Sequence, residues 1–114
     1  MSYGPPTVPN VPEVSVDELA DAQRRGAPLV DVREPDEYEA AHVPGAELVP
    51  LGQVVARVGE ISRDGPVYVI CQSGSRSAKA VQWYRSQGID AYNVAGGTKA
   101  WIERGHPVEF GRLS

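Results

Sequence analysis

Short apolar runs alternate along this chain with stretches of helical spacing, and no other feature constrains the fold as strongly. The two clearest runs, at residues 28–32 and 67–70, are rich in valine and isoleucine. Runs of this length and composition are typical of strands that are buried on both faces. Strands that alternate with helices form a mainly parallel sheet with helices on both faces, so the predicted fold class is α/β.

Helix signals separate the apolar runs. Ser15 and Glu18 form an S-x-x-E capping box that begins a first helix, and this helix is predicted to end at Gly26. Pro35 begins a short second helix, because its missing N–H costs nothing in a first turn. The other predicted helices span residues 51–58, 77–87 and 98–104, and further strands span 46–50 and 89–94. The helix residues predicted to face the core are Val16, Leu19, Ala20, Leu51, Val54, Val55, Val58, Ala78, Val81, Tyr84 and Trp101.

One domain is expected, because 114 residues is close to the commonest domain size. Four prolines within the first twelve residues predict an extended or disordered tail over residues 1–12, followed by a single domain over residues 13–114. No stretch approaches the roughly 18 apolar residues of a membrane span, and the start lacks the pattern of a secretory signal. We therefore expect a cytoplasmic protein with no membrane partner.

A single cysteine and a net charge of −4 exclude several classes of function. One thiol cannot form an internal disulfide, a CxxC redox pair or a multi-thiolate zinc site, so no metal is expected. The 15 acidic residues outnumber the 11 basic ones, and this balance argues against a nucleic-acid partner.

The segment that carries chemistry follows the run at 67–70 directly, where Cys71 precedes the sequence Q-S-G-S-R-S. The carboxyl end of a parallel strand is where α/β proteins bind ligands. Gly74 and the neighbouring serines let backbone N–H groups converge into an anion-binding nest, and the next helix directs its positive end there. Arg76 and Lys79 add positive charge nearby. Cys71 is therefore predicted to be a reactive thiolate, with a thiol pKa below its reference of about 8.5.

Four motifs occur in the order in which a known family carries them. They are L-V-D-V-R-E at 29–34, E-Y followed by H-V-P-G-A at 37–46, C-Q-S-G-S-R-S at 71–77, and a closing Gly-Gly with a tryptophan at 96–101. Over residues 14–107 the chain resembles the rhodanese-like sulfurtransferases. The resemblance implies a five-stranded parallel sheet. It also implies that Cys71 accepts a sulfane sulfur as a persulfide and passes it to a thiophile without any cofactor.

The resemblance also implies a role for each residue near the thiol. Cys71 is the nucleophile, while Asp31 and Arg33, at the end of a neighbouring strand, either brace the site or line its mouth, or else form a purely structural ion pair. The cradle for substrate and persulfide is expected to consist of Gln72, Ser73, Gly74, Ser75, Arg76 and Ser77. The implied partners are a small sulfur-containing anion or a persulfide as donor, and a thiol or a protein as sulfur acceptor.

The loop departs from that of many two-domain thiosulfate enzymes in this family. Such enzymes carry basic residues just after the cysteine, where this chain has Gln72 and Ser73, and can have an arginine at the position of Glu37. Arg76 is then the one cation expected in the loop. A persulfide, a polysulfide or a protein partner is therefore an alternative to thiosulfate as the source of sulfur.

Two other functions stay open from the sequence. The chain could be a non-catalytic sulfur-relay or protein-binding module whose loop docks a partner. A phosphatase or arsenate reductase built on the same fold needs a C-x5-R loop to clamp an oxyanion, whereas Arg76 stands at C-x4-R and the next position is Ser77. The shorter loop favours a single sulfur atom. His42 and His106 are conceivable general bases, but structural roles are favoured for both.

Overall fold

The computed structural model describes residues 11–111, which form an α/β domain around one five-stranded sheet. The strands are β1 (Glu13–Val14), β2 (Leu29–Asp31), β3 (Ala46–Leu48), β4 (Val67–Ile70) and β5 (Ala91–Val94). Their order across the sheet is β1-β5-β4-β2-β3, and every adjacent pair is parallel. The predicted fold class and the five-stranded parallel sheet are confirmed.

Four α-helices connect and cover the strands. They are α1 (Val16–Arg24), α2 (Pro35–Ala40), α3 (Ser75–Ser86) and α4 (Gly97–Glu103). The predicted capping box is present at α1, where the Ser15 Oγ accepts from the Glu18 N–H at 3.0 Å and the Glu18 carboxylate accepts from the Ser15 N–H at 2.9 Å. Within residues 11–111 no helix is both long enough and apolar enough to cross a bilayer.

Helices lie on both faces of the sheet because the strands present apolar side chains to both sides. Adjacent residues of β2 illustrate this, since Val30 packs in a cluster with α3 while Leu29 packs in another with α1, α2 and α4. Trp101 of α4 is buried in the second cluster, as predicted. The two clusters hold β4 and β5 between them, so the strand that leads to Cys71 is anchored from both sides.

The predicted helix over residues 51–58 is wrong. The segment instead contains two short 3-10 turns, Leu51–Gln53 and Val58–Glu60. A glycine lies within each turn and three valines lie within the segment, and both residue types are poor helix formers. Val54 is buried as predicted, but Val55, assigned to the same face, is 63% exposed.

Two inner faces and two boundaries also differ from expectation. Ala22 is the fully buried alanine of α1, whereas the predicted Ala20 is half-buried against the same cluster. Ala80 is the fully buried alanine of α3, whereas the predicted Ala78 is half-buried. In each helix the buried alanine lies two positions after the predicted one. At 3.6 residues per turn, that position points more directly toward the core. α3 begins at Ser75, two residues earlier than predicted, and β5 begins at Ala91, two residues later.

The predicted proline-rich tail lies mostly outside the described residues, which exclude positions 1–10. Its last two residues already belong to the folded part. Val11 packs against the core, and the Pro12 carbonyl accepts a hydrogen bond from the Asn93 N–H at 2.9 Å. The chain then continues into β1, an edge strand that is too short to show a periodicity in the sequence.

The strand order places the carboxyl ends of β2 and β4 side by side where their connections diverge. From β2 the chain moves outward to β3, and from β4 it passes through α3 to β5 on the opposite side. In parallel sheets such a point leaves a crevice in which ligands bind. Asp31 ends β2 and Cys71 follows β4, so the predicted site residues flank this crevice.

Candidate active site

Cys71 lies directly after β4, and its side chain is buried. Its Sγ accepts a hydrogen bond from the Gly74 N–H at 3.1 Å and another from the Ser77 hydroxyl at 3.2 Å. Gly74 is the N-cap of α3 and Ser77 lies in its first turn, and the twelve residues of this helix direct their positive dipole end toward the sulfur. The sulfur is therefore surrounded by groups that stabilise negative charge.

The pKa of the Cys71 thiol reflects two opposing effects. Burial raises this pKa, because a thiolate loses hydration in the protein interior. The Ser77 hydroxyl and the backbone N–H groups of Ser77, Gly74 and Ser73 lower it, and together they outweigh burial, so the net shift is downward. The direction agrees with the sequence-based expectation of a low-pKa thiol. The groups responsible are hydrogen-bonding dipoles of the loop.

Gly74 shapes the loop because its backbone has a φ of +109°, in a region that side chains other than glycine rarely adopt. This conformation lets its N–H point at the sulfur while its carbonyl points away. That carbonyl accepts from the Asn93 side-chain amide at 3.0 Å and from the Ala78 N–H at 3.2 Å. Gly74 thus serves as the N-cap of α3 and contributes to the anion nest.

The first turn of α4 holds the loop from the other side. The Cys71 carbonyl accepts from the Thr98 N–H at 2.9 Å, and the Gln72 carbonyl accepts from the Lys99 N–H at 3.1 Å. A Cβ at Gly97 would lie 2.4 Å from the Cys71 carbonyl oxygen, so the backbones approach this closely only with glycine there. With its carbonyls held outward, the loop leaves its N–H groups free to face the sulfur.

Asn93 is a site residue that the sequence reasoning missed. Its buried amide donates to the Glu13 carboxylate at 2.9 Å and to the Gly74 carbonyl at 3.0 Å. Both partners are acceptors, which orients the amide oxygen toward the Ser77 hydroxyl. The single proton of that hydroxyl is donated at any one time either to this oxygen or to the Cys71 sulfur. Asn93 therefore ties β5 and β1 to the hydroxyl that contacts Cys71. The available signal was a polar residue inside a buried apolar strand, close to its carboxyl end.

Asp31 and Arg33 form a buried ion pair at the end of β2. The Arg33 guanidinium donates to both carboxylate oxygens of Asp31 at 2.9 to 3.1 Å. It also donates to the Ala41 carbonyl at 2.8 Å and to the Gln72 side-chain oxygen at 3.2 Å. The sequence left open whether the pair braces the site, lines its mouth or is only structural. The contact with Gln72 shows that it does reach the loop across the crevice.

Arg76, the one cation expected in the loop, is bound to a carboxylate. Its guanidinium donates to both carboxylate oxygens of Glu37 in α2, at 2.7 and 2.8 Å, and each side chain is about one third exposed. The hydrogen bonds from Arg76 and, to a smaller extent, from the Glu34 N–H lower the pKa of Glu37 to about 2, although partial burial opposes this shift. In turn, the Glu37 carboxylate raises the pKa of Arg76. The partners are 39 residues apart, so only the fold brings them together.

The remaining predicted residues lie at the rim of the loop. Gln72, Ser73 and Ser75 are exposed, and so is Lys79 on the outer side of α3. A pocket of about 290 Å³ opens beside the loop. Its lining residues are Arg33, Glu37, Ala40, Ala41, Gln72, Thr98 and Ile102. All the predicted site residues therefore belong to one edge of the sheet, around a sulfur that lies beneath the loop.

Both histidines make structural contacts away from the thiol. His42 is buried and stacks on the Tyr38 ring at 3.7 Å, with its Nδ1 2.8 Å from the Tyr38 carbonyl oxygen. His106 lies against Trp101, and its Nε2 is 2.8 Å from an Asp17 carboxylate oxygen. These contacts support the structural roles favoured from the sequence and disfavour a Cys–His catalytic pair.

Replacing Ser77 with alanine should raise the pKa of the Cys71 thiol, because the thiolate loses a hydroxyl donor while burial is unchanged. Less thiolate is then present at neutral pH, and we expect alkylation of Cys71 to slow by about tenfold at pH 7. The rate of alkylation by iodoacetamide, measured from pH 5 to 10, gives the midpoint. Ser75→Ala, which removes an exposed hydroxyl from the same helix, is the control. Coincident pH profiles for Ser77→Ala and the unaltered protein would contradict this account of the low pKa.

Comparison with known proteins agrees with the geometry. The family model of the rhodanese-like domain matches residues 15–104. The Bacillus subtilis (strain 168) protein YqhL is 47% identical over 78 residues, covering 68% of this chain and 62% of that protein. YrkF of the same organism, named as a putative sulfur carrier protein, is 36% identical over 95 residues, covering 81% of this chain and 51% of its own length. This chain thus spans less than two thirds of either relative.

A solved structure supports the same assignment at the level of the fold. The crystal structure of a rhodanese-related protein from Thermoplasma volcanium superposes with a TM-score of 0.81 at 30% identity, covering 86% of this chain and 97% of that one. The segment that the family model matches, residues 15–104, contains every element from β2 to α4. It therefore includes the Cys71 loop together with α3 and α4, which flank it. This chain belongs to the rhodanese-like domain family.

Proposed function

We propose that this protein is a sulfurtransferase that carries a sulfane sulfur as a persulfide on Cys71. The observation that carries the proposal is that hydrogen-bond donors converge on one sulfur. The Gly74 N–H and the Ser77 hydroxyl both contact the Cys71 Sγ at the amino end of α3. A cradle of this kind stabilises the thiolate that attacks and the anionic persulfide that forms. Membership of the rhodanese-like family supports sulfur transfer as the class of reaction.

The reaction proceeds in two half-reactions through the covalent intermediate. In the first, the Cys71 thiolate attacks the outer sulfur of thiosulfate, a new S–S bond forms, the bond to the inner sulfur breaks, and sulfite leaves. In the second, an acceptor such as cyanide attacks the outer persulfide sulfur, takes it as thiocyanate and regenerates the thiolate. Each step transfers one sulfur atom and conserves charge, so neither a cofactor nor an external oxidant is needed.

A protein or low-molecular-weight thiol is the acceptor that fits the site best. The similarity to a putative sulfur carrier protein supports a role in passing sulfur onward. The sulfur is buried beneath an exposed rim formed by Gln72, Ser73 and Ser75, which an acceptor contacts first. A cytoplasmic location is consistent with this proposal, because the only cysteine must stay reduced to accept sulfur.

The two alternatives predict different results. Phosphatase chemistry requires an arginine fork directed at three phosphate oxygens, whereas both terminal nitrogens of Arg76 are bound to Glu37. A non-catalytic docking module has no need of donors focused on its thiol. A sulfur-relay module and an enzyme would both carry a persulfide on Cys71. They are distinguished by turnover with a small acceptor, which only the enzyme supports.

The experiment is intact-mass spectrometry after incubation with thiosulfate or with a hydropersulfide. We expect a gain of one sulfur atom that dithiothreitol reverses and that prior alkylation prevents. Because the chain has a single cysteine, that gain is assignable to Cys71 without a variant. Addition of cyanide should then release thiocyanate over many turnovers. A free thiol that gains no sulfur from either donor would contradict the proposal.

A further inference from the structure

The two guanidinium groups beside the Cys71 loop are each bound to a carboxylate. Arg33 is paired with Asp31 beneath the loop, and Arg76 is paired with Glu37 at its rim. The formal charges of these four groups cancel. A thiolate at Cys71 therefore gives this set of five groups a net negative charge, which the loop hydrogen-bond donors and the positive end of α3 offset.

This charge balance opposes a donor that carries two negative charges. Thiosulfate must bring its sulfonate group close to the thiolate, and the site lowers that repulsion only if a cation is available at the rim. Both terminal nitrogens of Arg76 already donate to Glu37, so an anion must displace a bidentate carboxylate to use them. A hydropersulfide places a single sulfur in the nest and needs no cation.

We infer that Glu37 is a specificity-determining residue, which holds Arg76 away from incoming anions and thereby selects sulfane donors of at most one negative charge over dianionic ones. The inference rests on the proposed sulfur transfer and names its donor class as hydropersulfides of low-molecular-weight thiols or of proteins. The Cys71 thiolate attacks the outer sulfur of R–S–SH, the S–S bond of the donor breaks, and R–S⁻ leaves. Cys71 keeps the transferred sulfur and its proton as a hydropersulfide.

Glu37→Gln is the variant that tests this inference with least disturbance. Glu37 also accepts from the Glu34 N–H at 3.1 Å, which caps α2. A glutamine oxygen still accepts that hydrogen bond, so the cap is retained while the charge that holds Arg76 is lost. Asp36→Asn is the matched control, because it removes one exposed negative charge from the same helix.

The first measurement is kcat/KM for thiosulfate and for the hydropersulfide of 2-mercaptoethanol, with cyanide as the common acceptor. For Glu37→Gln we expect kcat/KM for thiosulfate to rise about tenfold, mainly through a lower KM, with less than about a threefold change for the hydropersulfide. Asp36→Asn should change neither value appreciably. Adding Arg76→Gln to Glu37→Gln should abolish the gain. Equal changes for the two donors, or a gain that survives in the double variant, would overturn the inference.

The second measurement does not depend on sulfur transfer. Sulfate, an unreactive dianion, should slow the alkylation of Cys71 by neutral iodoacetamide more strongly in Glu37→Gln than in the unaltered protein. If sulfate protects the variant but neither protein gains sulfur from any donor, the role of Glu37 stands and the proposed sulfur transfer fails. If sulfur is transferred but sulfate protects both proteins equally, the role of Glu37 is wrong and the proposed function stands.

Discussion

Cys71→Ser is expected to reduce thiocyanate formation by about a thousandfold or more, with no sulfur gained by the protein. A serine hydroxyl ionises far above neutral pH and forms no stable bond to a sulfane sulfur, so the covalent intermediate is lost. The substitution is nearly isosteric, and the Gly74 N–H and the Ser77 hydroxyl keep an acceptor where Sγ was. The measurement is steady-state turnover with thiosulfate and with a hydropersulfide, alongside intact-mass spectrometry.

The fold of the Cys71→Ser protein must be shown to be intact for this result to bear on mechanism. We expect its thermal unfolding midpoint and its far-ultraviolet circular dichroism to match those of the unaltered protein closely, because one buried atom is exchanged for a slightly smaller one. Residual activity above a few per cent of the original, in a preparation free of unaltered protein, would show that Cys71 is not the group that carries the sulfur.

Arg33→Met is expected to lower the free energy of unfolding by about 3 to 5 kcal/mol, the cost of leaving a buried carboxylate without its partner. Asp31 is fully buried and the Arg33 side chain is 3% exposed, so water cannot replace the lost contacts. The Ala41 carbonyl and the Gln72 side chain lose a donor as well. Urea unfolding followed by circular dichroism measures the change.

Two controls show whether burial of the pair is responsible. Arg24→Met removes a similar partner from Asp21 at the surface, where both side chains are mostly exposed, and should leave stability nearly unchanged. Asp31→Leu combined with Arg33→Met removes both charges and should recover much of the loss. If Arg33→Met proves as mild as Arg24→Met, the buried pair does not contribute to stability in the way described.

Much of the site could be predicted because its parts are local. Cys71, Gly74 and Ser77 fall within seven residues, from the end of a strand to the first turn of the next helix, and short-range geometry directs the two donors toward the sulfur. The buried strand before them and the helix after them are both visible as apolar patterns. The direction of the shift in the pKa of Cys71 follows from the same local groups. The chemistry expected at this thiol therefore needed little knowledge of the rest of the fold.

The residues that were missed or misjudged depend on contacts between distant parts of the chain. Asn93 orients Ser77 from a neighbouring strand, and Gly97 allows the first turn of α4 to bind the loop carbonyls. Neither residue is near Cys71 in the sequence. The Gly-Gly pair at 96–97 is recognisable as a motif and Asn93 as a polar residue in a buried strand, but the contacts of both with the loop depend on the fold. The failed helix over residues 51–58 has a local cause, since Gly52 within it, Gly59 directly after it and three valines disfavour a helix despite the apolar spacing.

By itself, the sequence determined the α/β class, the place of the thiol at the carboxyl end of a buried strand, and the loop that lowers its pKa. These follow from periodicity and from residues within a few positions of one another. Only the tertiary structure decided which charges near the thiol are available. The sequence shows that Arg76 carries a positive charge. Only the structure shows that both of its terminal nitrogens donate to the carboxylate of Glu37, 39 residues away. Formal charge is a property of a residue, whereas the field at a site depends on where every other charge lies.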